Sequence, residues 1–179
     1  MSAAPAFALV GPSGVGKDSI IAAVAVARPD LLIVRRVVTR PADPTEPFEP
    51  CLDADFDRRE AAGEFALSWA AHGLRYAIPA AARAAQANGR PILFNGSRAA
   101  LPRAVDALAP LSVIAVSADP ALLATRLAQR GREDAAAIAG RLAQADLCLP
   151  DLPGVPIHQI DNSGDLSDAV ATLLALLPL

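Results

Sequence analysis

The residues best suited to chemistry form one short stretch near the start of the chain, Gly11-Pro12-Ser13-Gly14-Val15-Gly16-Lys17-Asp18. Its spacing matches the phosphate-binding loop pattern Gly-x4-Gly-Lys-[Ser/Thr] at every position but the last, where Asp18 replaces the hydroxyl residue. The glycines let consecutive backbone N–H groups turn inward around an anion, and a following helix adds the positive end of its dipole. An apolar strand at 7–10 and a helix at 19–27 would supply the required context. The stretch therefore predicts a nucleoside triphosphate site.

The lysine in this loop is unusual within its own chain. The 179 residues include 16 cationic side chains, and Lys17 is the only lysine among them. Its compact ammonium can touch two phosphates as a point charge, whereas a planar guanidinium is wider. We expect Lys17 to act in catalysis on the β- and γ-phosphates of ATP. The predicted ATP site comprises Gly11, Pro12, Ser13, Gly14, Val15, Gly16, Lys17, Asp18 and Ser19.

Asp18 occupies the position where a hydroxyl residue would ordinarily ligate Mg²⁺. A carboxylate is also a hard oxygen ligand and suits magnesium, directly or through water. The alternative is an acidic residue in the first helical turn that stabilises the helix dipole. We predict the magnesium role for Asp18, so the expected cofactors are ATP and Mg²⁺.

Composition narrows the class of protein. A length of 179 residues fits one domain, and no apolar run approaches the roughly 18 residues of a membrane-spanning helix. The net charge of −3 argues against nucleic acid or an anionic membrane as a partner. The two cysteines lack metal-ligand spacing, and residues 1–6 carry no cationic segment. We therefore expect a cytoplasmic protein with a small-molecule partner; the sequence does not indicate an oligomeric state.

Strands alternate with helices along most of the chain, which predicts an α/β fold with a parallel sheet covered on both faces. Strands are expected at 31–38, 91–94, 111–116 and 157–160, besides the one before the loop. The stretch 41–79 interrupts the alternation, and residues 42–50 have the composition of a mobile surface loop. We predict a single P-loop kinase domain with a five-stranded parallel core at 1–40 and 90–179. A substrate lobe is inserted at about 41–79, and a short lid lies at about 131–141, within a region where a helix is expected at 134–146.

Arginines and polar side chains outside the loop form the candidate acceptor site. Arg36 and Arg40 share a face if the strand continues, and could grip one phosphate or simply end a solvated strand. Arg98 follows a buried strand, where ligands collect in open parallel sheets. His72, in a glycine-flanked turn, is either a ligand contact or a turn residue. Trp69 either packs in the protein interior or stacks on a sugar, and packing is the commoner role of a single tryptophan.

The order of several motifs resembles the guanylate kinase superfamily: the phosphate loop, Thr39-Arg40-Pro41, the Tyr76 segment, and the arginines from Arg126 to Arg141. Three details resemble the ribose 1,5-bisphosphate phosphokinase family within it: Gly16-Lys17-Asp18-Ser19, Leu67-Ser68-Trp69 before His72-Gly73-Leu74, and Asn95-Gly96-Ser97-Arg98. The resemblance spans residues 9 to about 174. It implies an enzyme that transfers the γ-phosphoryl of ATP to ribose 1,5-bisphosphate, forming 5-phospho-α-D-ribose 1-diphosphate in bacterial phosphonate breakdown.

The resemblance also implies further site residues. The predicted substrate residues are Arg36, Arg40, Ser68, His72, Tyr76, Asn95 and Arg98. Arg132 and Arg141 are predicted to be catalytic lid contacts, because a glycine-flanked segment that closes can bring arginines onto the transferring group. Arg126 is expected at the ATP phosphates. Asn162 is expected near the adenine ring, or else lies in an ordinary strand-to-helix turn.

Two other functions remain open. A guanylate kinase shares the loop and the lid, but its guanine pocket should offer carboxylates, and Asn95 stands where those enzymes have an aspartate. A non-catalytic guanylate-kinase-like binding module typically loses the glycine loop and its lysine, whereas Gly11, Gly16 and Lys17 are intact here.

Overall fold

The computed structural model describes residues 3–43, 46–129 and 148–177. The predicted lid, with Arg132 and Arg141, and the helix expected at 134–146 lie outside these ranges. The described strands are β1 Ala6–Val10, β2 Leu32–Val34, β3 Arg36–Val38, β4 Phe48–Pro50, β5 Phe65–Ala71, β6 Leu74–Pro79, β7 Ile92–Asn95, β8 Leu111–Ser117 and β9 Ile157–Asp161. The described α-helices are α1 Lys17–Ala27, α2 Asp53–Ala61, α3 Ala80–Ala87, α4 Leu101–Ala107, α5 Pro120–Gln129 and α6 Leu166–Leu176, and a short 3₁₀ helix spans Arg98–Ala100.

Five strands form the core sheet in the order β2-β7-β1-β8-β9, and every neighbouring pair is parallel. This confirms the predicted α/β fold with a five-stranded parallel core. Strand β1 lies at the centre and is buried along its whole length. Because consecutive strand residues face opposite sides, Ala8 and Val10 enter one hydrophobic cluster while Phe7 and Leu9 enter the other. Both faces of the sheet are therefore covered, as a parallel sheet requires.

The helices divide between these two faces. Ile20 of α1 and Leu173 of α6 pack on the side of Phe7 and Leu9. Ala82 of α3, Leu101 of α4 and Leu108 pack on the opposite side. The helix α4 was not predicted from the sequence. Among the described residues, no helix has the length and apolarity needed to cross a membrane.

A second sheet stands beside the core, with the strand order β4-β3-β6-β5. Strands β5 and β6 form an antiparallel hairpin, β6 pairs antiparallel with β3, and β3 pairs parallel with β4. Phe56 of α2 packs under this sheet against Val37 and Ala77. Strand β4 lies within the stretch 42–50 that was expected to be a loop.

The prediction of a single strand at 31–38 is wrong. The structure divides it at Arg35, so that β2 joins the core sheet and β3 joins the second sheet. A continuous apolar, β-branched run carries no sign of which sheet each half will pair with, because pairing depends on partners elsewhere in the chain. Arg36 therefore belongs to the second sheet, which occupies Arg36 to Pro79. The proposed division into core, lobe and lid stays a prediction.

Candidate active site

The phosphate-binding loop connects β1 to α1, which begins at Lys17. Gly14 and Gly16 have φ values of 82° and 96°, in the left-handed region that favours glycine. A Cβ on Gly11 would lie 2.3 Å from the carbonyl oxygen of Val116, and one on Gly16 would lie 2.5 Å from Nδ2 of Asn162. The loop thus depends on glycine for both conformation and space, and its backbone leads into a helix N-terminus suited to phosphate.

Lys17 folds back on its own loop. Its Nζ donates hydrogen bonds of 2.9 Å to the carbonyl oxygens of Gly11 and Pro12. Burial lowers the pKa of Lys17 to about 8; Asp18 opposes this shift, and the cationic Arg36 reinforces it. The ammonium therefore lies beside the loop and still carries its charge near neutral pH.

Asp18 and Asn95 meet at the carboxyl end of the core sheet. Asn95 is the last residue of β7, is only 7% exposed, and donates its Nδ2 to Oδ1 of Asp18 at 2.8 Å. The carboxylate of Asp18 fits Mg²⁺, since it is a hard oxygen ligand next to the loop lysine. The described residues hold no group of three or more His, Cys, Asp or Glu side chains that could bind a metal. The magnesium role of Asp18 therefore stays a prediction that its chemistry and position beside the loop permit.

A cleft of about 290 Å³ lies between the loop and the second sheet. Three arginines from separate segments line it: Arg36 on β3, Arg40 beyond the end of β3, and Arg98 at the start of the 3₁₀ helix. Burial lowers the pKa of Arg36 and of Arg98 from the usual arginine value, and both remain cationic. The predicted residues that line the cleft are Gly11, Pro12, Ser13, Gly14, Gly16, Lys17, Asp18, Arg36, Arg40, His72, Tyr76, Asn95 and Arg98.

The wall opposite the loop is aromatic. Trp69 on β5 and Tyr76 on β6 form a cross-strand pair and stack with ring centroids 5.4 Å apart and an interplanar angle of 9°. The guanidinium of Arg36 lies 5.6 Å from the centre of the Tyr76 ring, within cation–π range. Trp69 both packs in the core and lines the cleft. The sequence argument favoured packing over stacking on a sugar.

His72 is a turn residue that also lies at the rim of the cleft, and its ligand contact stays a prediction. It has a φ of 52° and, with Gly73 at 73°, forms the two-residue turn between β5 and β6. Positive φ at both central positions is the geometry of a type I′ hairpin turn. The turn brings His72 to the rim of the cleft, where it is one of the lining residues.

Glu46 is a site residue that the sequence argument missed. It lines the cleft and forms an ion pair with Arg40, whose guanidinium also lies 4.5 Å from the centre of the Phe48 ring. The Pro-, Asp- and Glu-rich segment around it carries no signal that separates Glu46 from the acids nearby. Ala71, Leu74, Gly96 and Ser97 complete the unpredicted lining.

Five predicted residues within the described ranges do not line the cleft: Val15, Ser19, Ser68, Arg126 and Asn162. Ser68 pairs with Ala77, and its hydroxyl donates to Glu60 of α2, on the opposite face of β5 from Trp69. The expectation that Ser68 binds substrate is therefore corrected by strand alternation. Val15 is fully buried, and the Ser19 side chain is exposed on α1.

Asn162 and Arg126 support the loop from behind. Nδ2 of Asn162 donates to the carbonyl oxygen of Val15 at 2.7 Å, and the side chain is only 3% exposed. Arg126 on α5 donates to the carbonyl oxygen of Asn162 at 3.2 Å. The amide nitrogen of Asn162 faces the loop backbone, so its expected place at the adenine ring stays a prediction, as does the phosphate contact of Arg126.

No protein-family model matches the chain, but its sequence is similar to those of several known proteins. It is 46% identical over 175 residues to the ribose 1,5-bisphosphate phosphokinase PhnN of Ruegeria sp. (strain TM1040), covering 97% of this chain and 91% of that protein. It is 40% identical over 173 residues to the same-named protein of Agrobacterium fabrum, covering 94% and 93%.

Among solved structures, the guanylate kinase of Anaplasma phagocytophilum matches with a TM-score of 0.67 and 16% identity, over 98% of this chain and 85% of that chain. That likeness concerns the fold alone. The identity to the two bacterial proteins extends over nearly the whole length of both. The chain therefore belongs to the ribose 1,5-bisphosphate phosphokinase family.

Proposed function

We propose that this protein transfers the γ-phosphoryl group of ATP to the 1-phosphate of ribose 1,5-bisphosphate. The bond between the γ-phosphorus and the β,γ-bridging oxygen breaks, and ADP leaves with the electron pair. A new bond forms between the γ-phosphorus and an oxygen of the acceptor's 1-phosphate. The products are ADP and 5-phospho-α-D-ribose 1-diphosphate, so the enzyme is a phosphotransferase with a phosphate group as acceptor.

The observation that carries this proposal is the meeting of Lys17 with three arginines on one cleft. Arg36, Arg40 and Arg98 line the cleft together with the loop, and they would bind the acceptor. An acceptor with two phosphate groups needs several cations beyond those that bind ATP, and guanidinium groups match phosphate with paired N–H donors. The stacked Trp69 and Tyr76 would provide a flat surface for the sugar ring between these phosphates.

Phosphoryl transfer depends mainly on positioning and on neutralising charge, which suits these residues. Lys17 would exchange its bonds to the Gly11 and Pro12 carbonyl oxygens for bonds to the β- and γ-phosphates. Asp18 would help hold Mg²⁺, which neutralises the negative charge that develops on the transferring group. The acceptor oxygen belongs to an ionised phosphate, so no general base is needed to remove a proton.

The remaining predicted roles belong to the same proposal. Arg132 and Arg141 are proposed to complete the site when the lid closes, Arg126 to reach the ATP phosphates, and Asn162 to lie near adenine. The proposed location is the cytoplasm, and the proposed partner is a phosphosugar rather than nucleic acid.

An acceptor survey tests the proposal. The protein is incubated with ATP, Mg²⁺ and one of ribose 1,5-bisphosphate, ribose 5-phosphate or GMP, and ADP release is followed. Phosphorus NMR then identifies the product. We expect rapid ADP release with ribose 1,5-bisphosphate and the paired resonances of a new diphosphate.

The Lys17→Ala variant serves as the control for contaminating kinases, since it should release little ADP with any acceptor. Preferred turnover of GMP would overturn the phosphosugar proposal in favour of a guanylate kinase. ADP release that does not depend on any of the three acceptors would contradict both functions.

A further inference from the structure

We propose that Asn95 is a positioning residue for magnesium, which acts by holding the carboxylate of Asp18. In most P-loop enzymes a neutral hydroxyl residue follows the loop lysine and the carboxylate lies on a separate segment. Here the carboxylate of Asp18 follows the lysine, and the neutral Asn95 lies on the separate segment. The inference rests on the proposed kinase function and assigns Asn95 a role other than the substrate contact expected from the sequence.

The geometry joins two segments that are distant in the chain. Asn95 ends β7, which pairs with β1 directly before the loop, with Leu9 opposite Asn95. Asp18 lies in the first turn of α1, and the 2.8 Å hydrogen bond from Nδ2 of Asn95 reaches its Oδ1. One accepted hydrogen bond leaves other lone pairs of the carboxylate for a cation.

The orientation of the Asn95 amide follows from its partner. An ionised carboxylate only accepts hydrogen bonds, so the NH₂ group of Asn95 must face Asp18. The carbonyl oxygen of Asn95 is then buried and accepts no hydrogen bond within the ranges that the structure describes. A buried acceptor without a partner is costly. Asn95 lines the cleft, so its carbonyl oxygen could accept a hydrogen bond from a metal-bound water or contact the cation that accompanies a bound phosphate.

The pair reverses a common arrangement. P-loop enzymes typically hold Mg²⁺ with a hydroxyl residue directly after the loop lysine and an aspartate from a separate segment. Here the aspartate follows Lys17, and a neutral amide stands at the end of the neighbouring strand. Both arrangements contain one carboxylate, one neutral group and one hydrogen bond between them. The local charge is therefore the same, and only the positions differ.

This exchange predicts how replacements should combine. Asp18→Ser alone removes the carboxylate and leaves two neutral side chains. Asn95→Leu keeps the carboxylate and removes the donor that orients it. In the double variant Asp18→Ser/Asn95→Asp, the serine hydroxyl can donate to the new carboxylate, which restores the common arrangement.

Binding of Mn²⁺ in the presence of ADP, followed by electron paramagnetic resonance, measures the metal site without any acceptor. We expect Asp18→Ser and Asn95→Leu each to weaken Mn²⁺ binding about tenfold or more. Asp18→Ser/Asn95→Leu should bind no more weakly than Asp18→Ser, since Asn95 has then lost the group through which it acts. Asp18→Ser/Asn95→Asp should return to within roughly threefold of the unmodified protein.

Thermal melts show whether each variant is folded, and Asn95→Ala, which also removes the donor, replaces Asn95→Leu if the branched apolar side chain prevents folding. The proposal would be overturned if Asn95→Leu weakened Mn²⁺ binding by the same factor in the Asp18→Ser variant as in the unmodified protein. So would an exchanged double variant that binds Mn²⁺ no better than Asp18→Ser. Because no phosphosugar is present, these results stand even if the acceptor survey contradicts the proposed kinase function.

Discussion

Nδ2 of Asn162 donates a 2.7 Å hydrogen bond to the carbonyl oxygen of Val15, across 147 positions of sequence. The same nitrogen occupies the space that a Cβ on Gly16 would need. Asn162 follows β9 at the edge of the core sheet, so the shape of the phosphate-binding loop depends on the far end of the chain.

Asn162→Ala should therefore weaken both folding and nucleotide binding. The carbonyl oxygen of Val15 would lose its buried partner, and the free energy of unfolding should fall by about 1–3 kcal/mol. Calorimetric titration with ADP should show several-fold weaker binding, because the loop is held less firmly. Thr172→Ala is the control, since that exposed hydroxyl donates to the backbone carbonyl oxygen of Asp168 within α6. Unchanged ADP affinity in Asn162→Ala would mean that the loop keeps its shape without this contact.

The buried ammonium of Lys17 predicts a pH-dependent stability. Its pKa is about 8 in the folded protein and rises to the ordinary lysine value, near 10.5, on unfolding. Between these values the unfolded chain binds more protons, so stability should increase as pH rises from about 8 to 10.5. Below about pH 8 the folded protein bears the full free-energy cost of burying the charged Lys17. Lys17→Met should remove it and be roughly 1–3 kcal/mol more stable at pH 7.

Urea unfolding of both proteins at several pH values measures this difference. Because both proteins share every other titratable group, the difference between them isolates the contribution of Lys17. A stability difference between the two proteins that stays constant from pH 7 to 10.5 would show that folding does not lower the pKa of Lys17.

Activity should depend on the shape of the Lys17 side chain as well as its charge. Lys17→Ala should lose on the order of 3 kcal/mol or more of transition-state stabilisation. Lys17→Arg should fail nearly as badly, because a planar guanidinium is too wide for the space beside the Gly11 and Pro12 carbonyl oxygens. Steady-state kinetics with saturating ATP measures both. Near-normal turnover by Lys17→Arg would contradict the role given to the single lysine.

Gly16→Ala and Gly63→Ala form a matched pair for the loop. Both glycines have a positive φ, 96° and 71°, but a Cβ on Gly63 would meet no atom within 4 Å. Gly63→Ala should cost only the left-handed strain, about 1–2 kcal/mol of unfolding free energy. Gly16→Ala should cost more, because its Cβ also displaces Asn162, and ADP binding should be lost. Thermal melts and ADP titration distinguish them, and equal losses of stability would contradict the close approach.

Trp69 and Ser68 test the two faces of β5. Trp69→Leu should raise the KM for the phosphosugar several-fold and leave the KM for ATP nearly unchanged, since the tryptophan lines the cleft from the second sheet, where the proposed acceptor would bind. Ser68→Ala should change neither KM and should lower stability by less than about 1 kcal/mol, because its contact with Glu60 is exposed. A higher phosphosugar KM in Ser68→Ala would restore the rejected role of that serine.

Short-range patterns were enough to predict much of the core. The loop from Gly11 to Asp18, the strand before it and the helix after it are recognisable because backbone geometry and phosphate binding constrain each position locally. The parallel sheet follows from alternating strands and helices, since parallel neighbours need a crossover between them. Arg36, Arg40 and Arg98, which line the cleft, were also expected to lie together, because each stands near the end of a predicted strand.

The sequence by itself determined the nucleotide loop, the α/β class and the family, because these rest on the order and spacing of residues along the chain. Tertiary structure alone decided which side chains share the cleft. It divided 31–38 between two sheets, turned Ser68 away while Trp69 faces inward, placed Glu46 beside Arg40, and directed Asn162 to the loop. Each outcome depends on which distant strand or helix a segment packs against, and that choice minimises the free energy of the whole fold rather than of the segment.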